Sequence, residues 1–152
     1  METNTQQVKQ HLQYLTRRWS ELPKIAQFEI RCIFDNTPAW SKKFLPEQLD
    51  QAVQYAVWAN KQGRNVYTTV NPIDYNANSG NASDPDIVGS FFCFADCDDP
   101  ASMANVRQDI KDGFKQTFSV HTGKKPVRGH IYYELAAPMT DMAAWREMQV
   151  AI

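Results

Sequence analysis

Hydrophobic and polar positions alternate along this chain in two rhythms, one helical and one of period two. From Thr3 to Ser20, Val8, Leu12, Leu15 and Trp19 fall at i, i+4, i+7 and i+11, one face of a helix. Arg17 and Arg18 stand near its end, where the helix dipole favours cations, and Leu22-Pro23 breaks it. Ala26 to Phe34 alternates, with Phe28, Ile30, Cys32 and Phe34 on one face and Gln27, Glu29 and Arg31 on the other. This predicts a strand with one buried and one polar face. Asp35 to Pro38 signals a turn. A linker with Trp40, Lys42 and Lys43 leads to a second helix, opened by Pro46 and Glu47, striped by Leu49, Ala52, Val53 and Ala56, and ended by Gly63.

Asn65 to Asn71 is β-rich, and Pro72 to Asp86 reads as a long surface loop, of a length at which loops are functional or disordered. A strand over Phe91 to Ala95 follows, then a helix from Pro100 to about Lys115 with Met103, Val106, Ile110 and Phe114 at helical spacing. Thr117 to Thr122 is a short β-like run, and Gly123 to Pro126 turns the chain. Gly129 to Leu135 is a strand, with His130, Tyr132 and Glu134 on one face. Thr140 or Asp141 caps a last helix carrying Met142, Trp145 and Met148. The chain stops at Ile152 inside that helical pattern, which reads as a fragment of a longer protein.

The stretch Gly89 to Pro100, GSFFCFADCDDP, carries the clearest chemistry. Alternation puts Phe92, Phe94, Asp96 and Asp98 on one face and Phe91, Cys93, Ala95 and Cys97 on the other. Asp96 and Asp98 then stand about 6–7 Å apart along the strand. Two carboxylates so placed can converge on hard divalent cations, which take oxygen ligands. They can equally be turn and solvent-facing acids at a strand end, and the residues alone leave both readings open. Asp99, just before Pro100, reads as the N-cap of the following helix. Further on, Ser119 to Leu135 gathers Lys124, Lys125, Arg128 and His130 around Gly123 and Gly129. Glycines admit backbone amides to a ligand and the cations can neutralise phosphate. His130 can donate to a phosphate oxygen or be a satisfied surface residue, whereas His121 reads as structural.

Length and composition narrow the class. With 152 residues the chain suits one domain: residues 1–25 an N-terminal helix and 26–152 the core, cut short at the C-terminus. A net charge of -1 gives no overall basic field, so any nucleic-acid contact must be local. Lys42, Lys43, Arg17 and Arg18 offer such contacts, although a solvated charged face is their ordinary use. Cys32, Cys93 and Cys97 are odd in number and lack CxxC spacing, which argues against a disulfide framework or a zinc knuckle. Reduced core thiols in a cytoplasmic protein fit better. No run is long enough to span a membrane, and the N-terminus lacks a signal-peptide core. Alternating helices and strands predict a sheet with helices packed on it.

Taken in order, VYTTVNP, FFCFADCDD, a helix and TGKKPVRGHIYYEL resemble the catalytic domain of archaeo-eukaryotic primases, of the RepB-like plasmid and phage primase–polymerase kind. Val70-Asn71-Pro72 and Asp84-Pro85-Asp86-Ile87 share the likeness, which covers roughly Val66 to Trp145. The resemblance implies an α+β fold with an RRM-like core, mainly an antiparallel sheet with helices packed on it. It implies metal-dependent nucleotidyl transfer on single-stranded DNA in plasmid or phage replication, with Asp96 and Asp98 holding Mg²⁺ or Mn²⁺. His130, Arg128 and Lys124 would hold the triphosphate, and Asp96, Asp98 and His130 would be the catalytic set. Nucleoside triphosphates and a single-stranded DNA template are the implied partners, with a helicase domain or partner as a further one. The family's third acid has no copy before Ile152, and Glu134 reads as a strand-mate of His130. A fragment without that acid need not be active alone. A non-catalytic replication-initiator domain that binds DNA and a metal-dependent nuclease are the alternative readings.

Overall fold

The computed structural model describes residues 4–35, 37–77, 80–113, 116–121 and 128–150, the side chain of Asp109 apart. The elements are α1 (Thr5–Thr16), β1 (Ala26–Ile33), β2 (Trp40–Phe44), α2 (Leu49–Lys61), β3 (Asn65–Thr68), β4 (Ile73–Asp74), β5 (Ser90–Cys97), α3 (Pro100–Lys111), β6 (Phe118–His121), β7 (Gly129–Met139) and α4 (Met142–Val150). The class is α+β with antiparallel pairing, as the resemblance implies. The chain forms two compact units, Met1–Ser90 and Phe91–Ile152. Among the described residues no helix is long and apolar enough to cross a membrane.

In the first unit β1 is central. It pairs antiparallel with β2, β3 and β4 in one four-stranded sheet. Its Phe28, Ile30 and Cys32 are buried together with Leu12 and Leu15 of α1 and Ala52, Val53, Ala56 and Ala59 of α2. The stretch expected to be a linker is strand β2, in register with β1 from Phe28↔Phe44 to Cys32↔Trp40. Its lysines hide the strand signal, because Lys42 lays its ammonium over the Phe44 ring, 5.3 Å from the centroid. Gly63 ends α2 at φ 79, the left-handed conformation that glycine adopts without strain.

The polar face expected on β1 is covered. Gln27 is buried and Glu29 is fully buried, at 0% exposure. The cover is the segment expected to be a surface loop. Gln27 Nε2 donates to the carbonyls of Asp74 and Tyr75, at 3.0 and 3.2 Å. Glu29 accepts from the Ala82 amide and from Arg31 Nε, both at 2.6 Å, while Arg31 Nη2 donates to the Ala82 carbonyl at 3.0 Å. Phe34, expected inside, is 49% exposed because β1 ends one residue before it. The two short motifs before β5 hold one another. Ser90 Oγ donates to Asn71 Oδ1 at 2.6 Å, the Val88 amide donates to the Pro72 carbonyl at 3.0 Å, and Ile73 bridges Ile87.

In the second unit the strand order is β5-β7-β6. Both faces of β5 are used as the alternation predicts. Cys97 and Ala95 pack with Met103 and Val106 of α3 and with Ile131 and Tyr133 of β7. Phe92 and Phe94 lie instead against Tyr132, with ring centroids 6.3 and 6.1 Å away, and Phe118 stacks on Tyr132 at 4.4 Å. Helix α4 satisfies backbone groups of β5. Trp145 Nε1 donates to the Phe92 carbonyl at 2.9 Å, and the Gln149 side-chain amide bonds both the amide and the carbonyl of Phe94. A covered strand cannot pair with another chain along those groups. Ile110, expected in the buried stripe of α3, is half-exposed near the helix end, and Phe114 lies outside the described residues.

Candidate functional site

Strand β5 rises from its aromatic core and ends in acids. Asp96 is its penultimate residue and is exposed. Asp98 lies one residue past the strand and is exposed too. Asp99 is committed elsewhere: it caps α3, its carboxylate accepting from the amides of Ala101 and Ser102 at 2.8 and 3.0 Å. The Ser102 hydroxyl and these amides hold the Asp99 carboxyl below its usual range. Asp141 caps α4 in the same way, bonding the amides of Ala143 and Ala144. The three acids at the end of β5 thus divide into one structural cap and two outward groups.

The order β5-β7-β6 puts the histidine strand next to the acidic one. His130 Nε2 stands 3.3 Å from Asp96 Oδ1, with the side chains 38% and 58% exposed. Two sequence signals 34 positions apart (130 minus 96) therefore meet at one place. Beneath them lies Tyr132, buried. Burial, and then the Asp96 charge, push its phenol up to about 12, so it stays neutral and keeps its proton. Tyr132 and the α4 residues Trp145 and Gln149 were not singled out by sequence reasoning as parts of the site. The only signal available for Tyr132 was its place on the face of His130. For Gln149 there was none.

Arg128 immediately precedes β7 and is exposed, two positions from His130. Lys124 and Lys125 lie outside the described residues. Glu134 is half-buried on β7, its amide donating to Thr117 Oγ1 at 2.8 Å. His121 is paired with Ser119 Oγ at 3.0 Å, at the edge strand. Gly129 has a structural reason beyond ligand approach. A Cβ there would stand 2.7 Å from the Val120 carbonyl oxygen of β6. Gly129→Ala is therefore expected to push β6 off β7 and cost about 1–3 kcal/mol, the usual penalty of overpacking. A melting temperature equal to wild type would contradict this.

The donor set suits a hard divalent cation. Asp96 and Asp98 are exposed and offer only acceptor oxygens when ionised. Mg²⁺ is ordinarily held by one or two carboxylates plus substrate phosphates and water. Among the described residues no group of three or more His, Cys, Asp and Glu converges as a ready-made metal cage.

No family model matches the chain, and no curated protein matches it. A solved structure does: the cyanophage S-2L primase-polymerase (PrimPol), AEP domain, at a TM-score of 0.68 and 23% sequence identity, over 99% of this chain and 71% of that one. The whole described arrangement, from α1 through the acidic strand and the histidine strand to α4, falls within that match. This chain has the α+β fold of that primase-polymerase AEP domain.

Proposed function

We propose that the chain is a primase–polymerase domain that joins nucleotides on a single-stranded DNA template in plasmid or phage replication. The observation that carries this reading is the meeting of Asp96 with His130 on neighbouring strands of a primase-type fold. Asp96 and Asp98 would hold Mg²⁺ or Mn²⁺, which when bound neutralises phosphate charge and activates the attacking hydroxyl. His130, Arg128 and Lys124 serve the triphosphate through charge-assisted hydrogen bonds. Before a nucleotide arrives, the His130 ring rests against Asp96, so a phosphate entering the site gains a donor already positioned at its edge. Tyr132, itself packed on Phe94, lies beside the His130 ring. The three buried free thiols suit the cytoplasm.

A second reading draws on the lack of a three-ligand group among the described residues: a domain of this fold that grips DNA without catalysis. Thermal-shift titration separates the two. Mn²⁺ with a nucleoside triphosphate is expected to raise the melting temperature only when both are present, and not in the Asp96→Ala, Asp98→Ala double variant. No shift in the wild-type chain, or an equal shift in both proteins, would overturn the catalytic reading.

A further inference from the structure

The first unit carries an aromatic stack on its surface that its core does not use. Trp40 of β2 and Trp58 of α2 lie 5.2 Å apart, centroid to centroid, with their planes 17° from parallel. The Arg64 guanidinium sits over the Trp40 ring, 3.3 Å from the centroid, steered there by the turn at Gly63 and held by the Thr37 hydroxyl and the Pro38 carbonyl. Two planar groups at these separations cannot share a face, so Trp40 lies between Arg64 and Trp58. Trp58 also meets Tyr55, 5.8 Å away and tilted by 31°, and remains 48% exposed; Trp40 is 37% exposed. Neither indole is needed to fill the core, where the buried α2 positions are alanines and Val53.

The segments that carry the stack bring cations to it, with Asp35, Glu47 and Asp50 just outside them. Residues 36–46 and 51–69, which supply β2, most of α2 and β3, contain no carboxylate. Lys42 and Lys61 are exposed there beside Arg64, in a chain whose net charge is -1. Trp58 and Lys61 are three residues apart on α2 and so share a helix face.

We infer that this surface is a binding site for single-stranded nucleic acid, in which a base stacks on Trp58 and extends the Arg64–Trp40–Trp58 column. Lys61, Lys42 and the outward edge of Arg64 neutralise the flanking phosphates. An exposed π-face bordered by cations is what an unpaired base with its phosphates matches, and a duplex offers no free base face. Cations on segments that themselves carry no carboxylate favour a polyanion. The inference rests on the reading that the chain works on single-stranded DNA, but needs neither metal nor triphosphate and uses none of the residues assigned to them.

The test is a titration of labelled oligo-thymidylate with the chain in chelator, at low and moderate salt, for wild type, Trp58→Ala and Lys61→Glu. Binding by wild type that quenches indole fluorescence is expected, and Trp58→Ala should weaken it by roughly 5- to 100-fold, the effect of deleting one base-stacking ring. Lys61→Glu leaves the stack intact and should weaken binding while flattening its salt dependence. Circular dichroism of both variants guards against misfolding. Wild-type affinity in both variants, or no oligonucleotide binding by wild type, overturns the site. So does a Trp58→Ala protein that loses self-association in sedimentation yet binds DNA unchanged, since the face would then belong to a second copy. A metal-plus-triphosphate thermal shift that survives in Trp58→Ala keeps failure here distinct from failure of the nucleotidyl-transfer reading.

Discussion

Asp96→Ala is expected to silence nucleotide incorporation while leaving the fold in place. The side chain is 58% exposed and, among the described residues, it pairs with the half-exposed His130, so little stability rests on it. Exposed ion pairs contribute roughly 0–1 kcal/mol. Its loss at the reacting centre weighs far more. A cation that polarises phosphate supplies several kcal/mol, and each ~1.4 kcal/mol is a factor of ten, so incorporation should fall by about 10²- to 10⁴-fold. Primer extension on a single-stranded template, run beside a thermal melt, measures both quantities at once. Near-normal extension by a folded Asp96→Ala protein would remove Asp96 from the reaction and the proposal with it.

The second large effect concerns stability. Glu29→Ala removes an ion that is fully buried, and strands the Ala82 amide and the Arg31 guanidinium it was holding. Breaking a buried pair from one side costs about 3–5 kcal/mol; Arg31 is a third exposed, so the lower end, ~3 kcal/mol, applies. That corresponds to a melting temperature lower by ~10 °C. A fall of only a degree or two would mean that residues 73–82 are held by other contacts. Acid should weaken the same clamp. Burial works to raise the Glu29 pKa, but hydrogen bonds from Arg31, the Ala82 amide and Ser41 together with the Arg31 charge outweigh it, and the net shift is downward from 4.5. A carboxyl lowered by folding contributes stability that is complete above its unfolded value. That contribution disappears as pH falls from about 4.5 through the folded value, and Glu29→Gln should flatten this part of the pH–stability curve.

How much of this was legible depended on whether the cause was local. The face assignments along β5 and β7 followed from period-two alternation, and the structure packs Phe94 and His130 against Tyr132 accordingly. Asp99 announced itself as a cap because an N-cap acid bonds amides only two or three residues away; for the last helix the pattern offered Thr140 or Asp141, and Asp141 is the cap. Long-range causes left no such mark. Nothing in Ala26 to Phe34 says that residues from 73 onward will cover Glu29. The strand character of Trp40 to Phe44 comes from pairing with β1 and is masked by Lys42 and Lys43. The contact between Asp96 and His130 depends on β7 rather than β6 lying beside β5, which no local pattern encodes. The resemblance supplied the juxtaposition as an expectation. It did not supply Tyr132, whose neutral ring underlies both groups.

The cysteines lend the molecule a pair of internal clocks. All three thiols are buried and unpaired, and burial pushes each of them up, so none reacts while its strand is closed. Cys32 sits on the central strand of the first unit, whereas Cys93 and Cys97 lie on the strand of the second that bears Asp96. A thiol reagent in excess therefore modifies Cys32 only as often as β1 opens, and Cys97 only as often as the strand bearing Asp96 opens. Equal labelling rates would describe a chain that opens as one body. Faster labelling at Cys97 would describe an acidic strand that breathes on its own while the sheet around β1 stays shut.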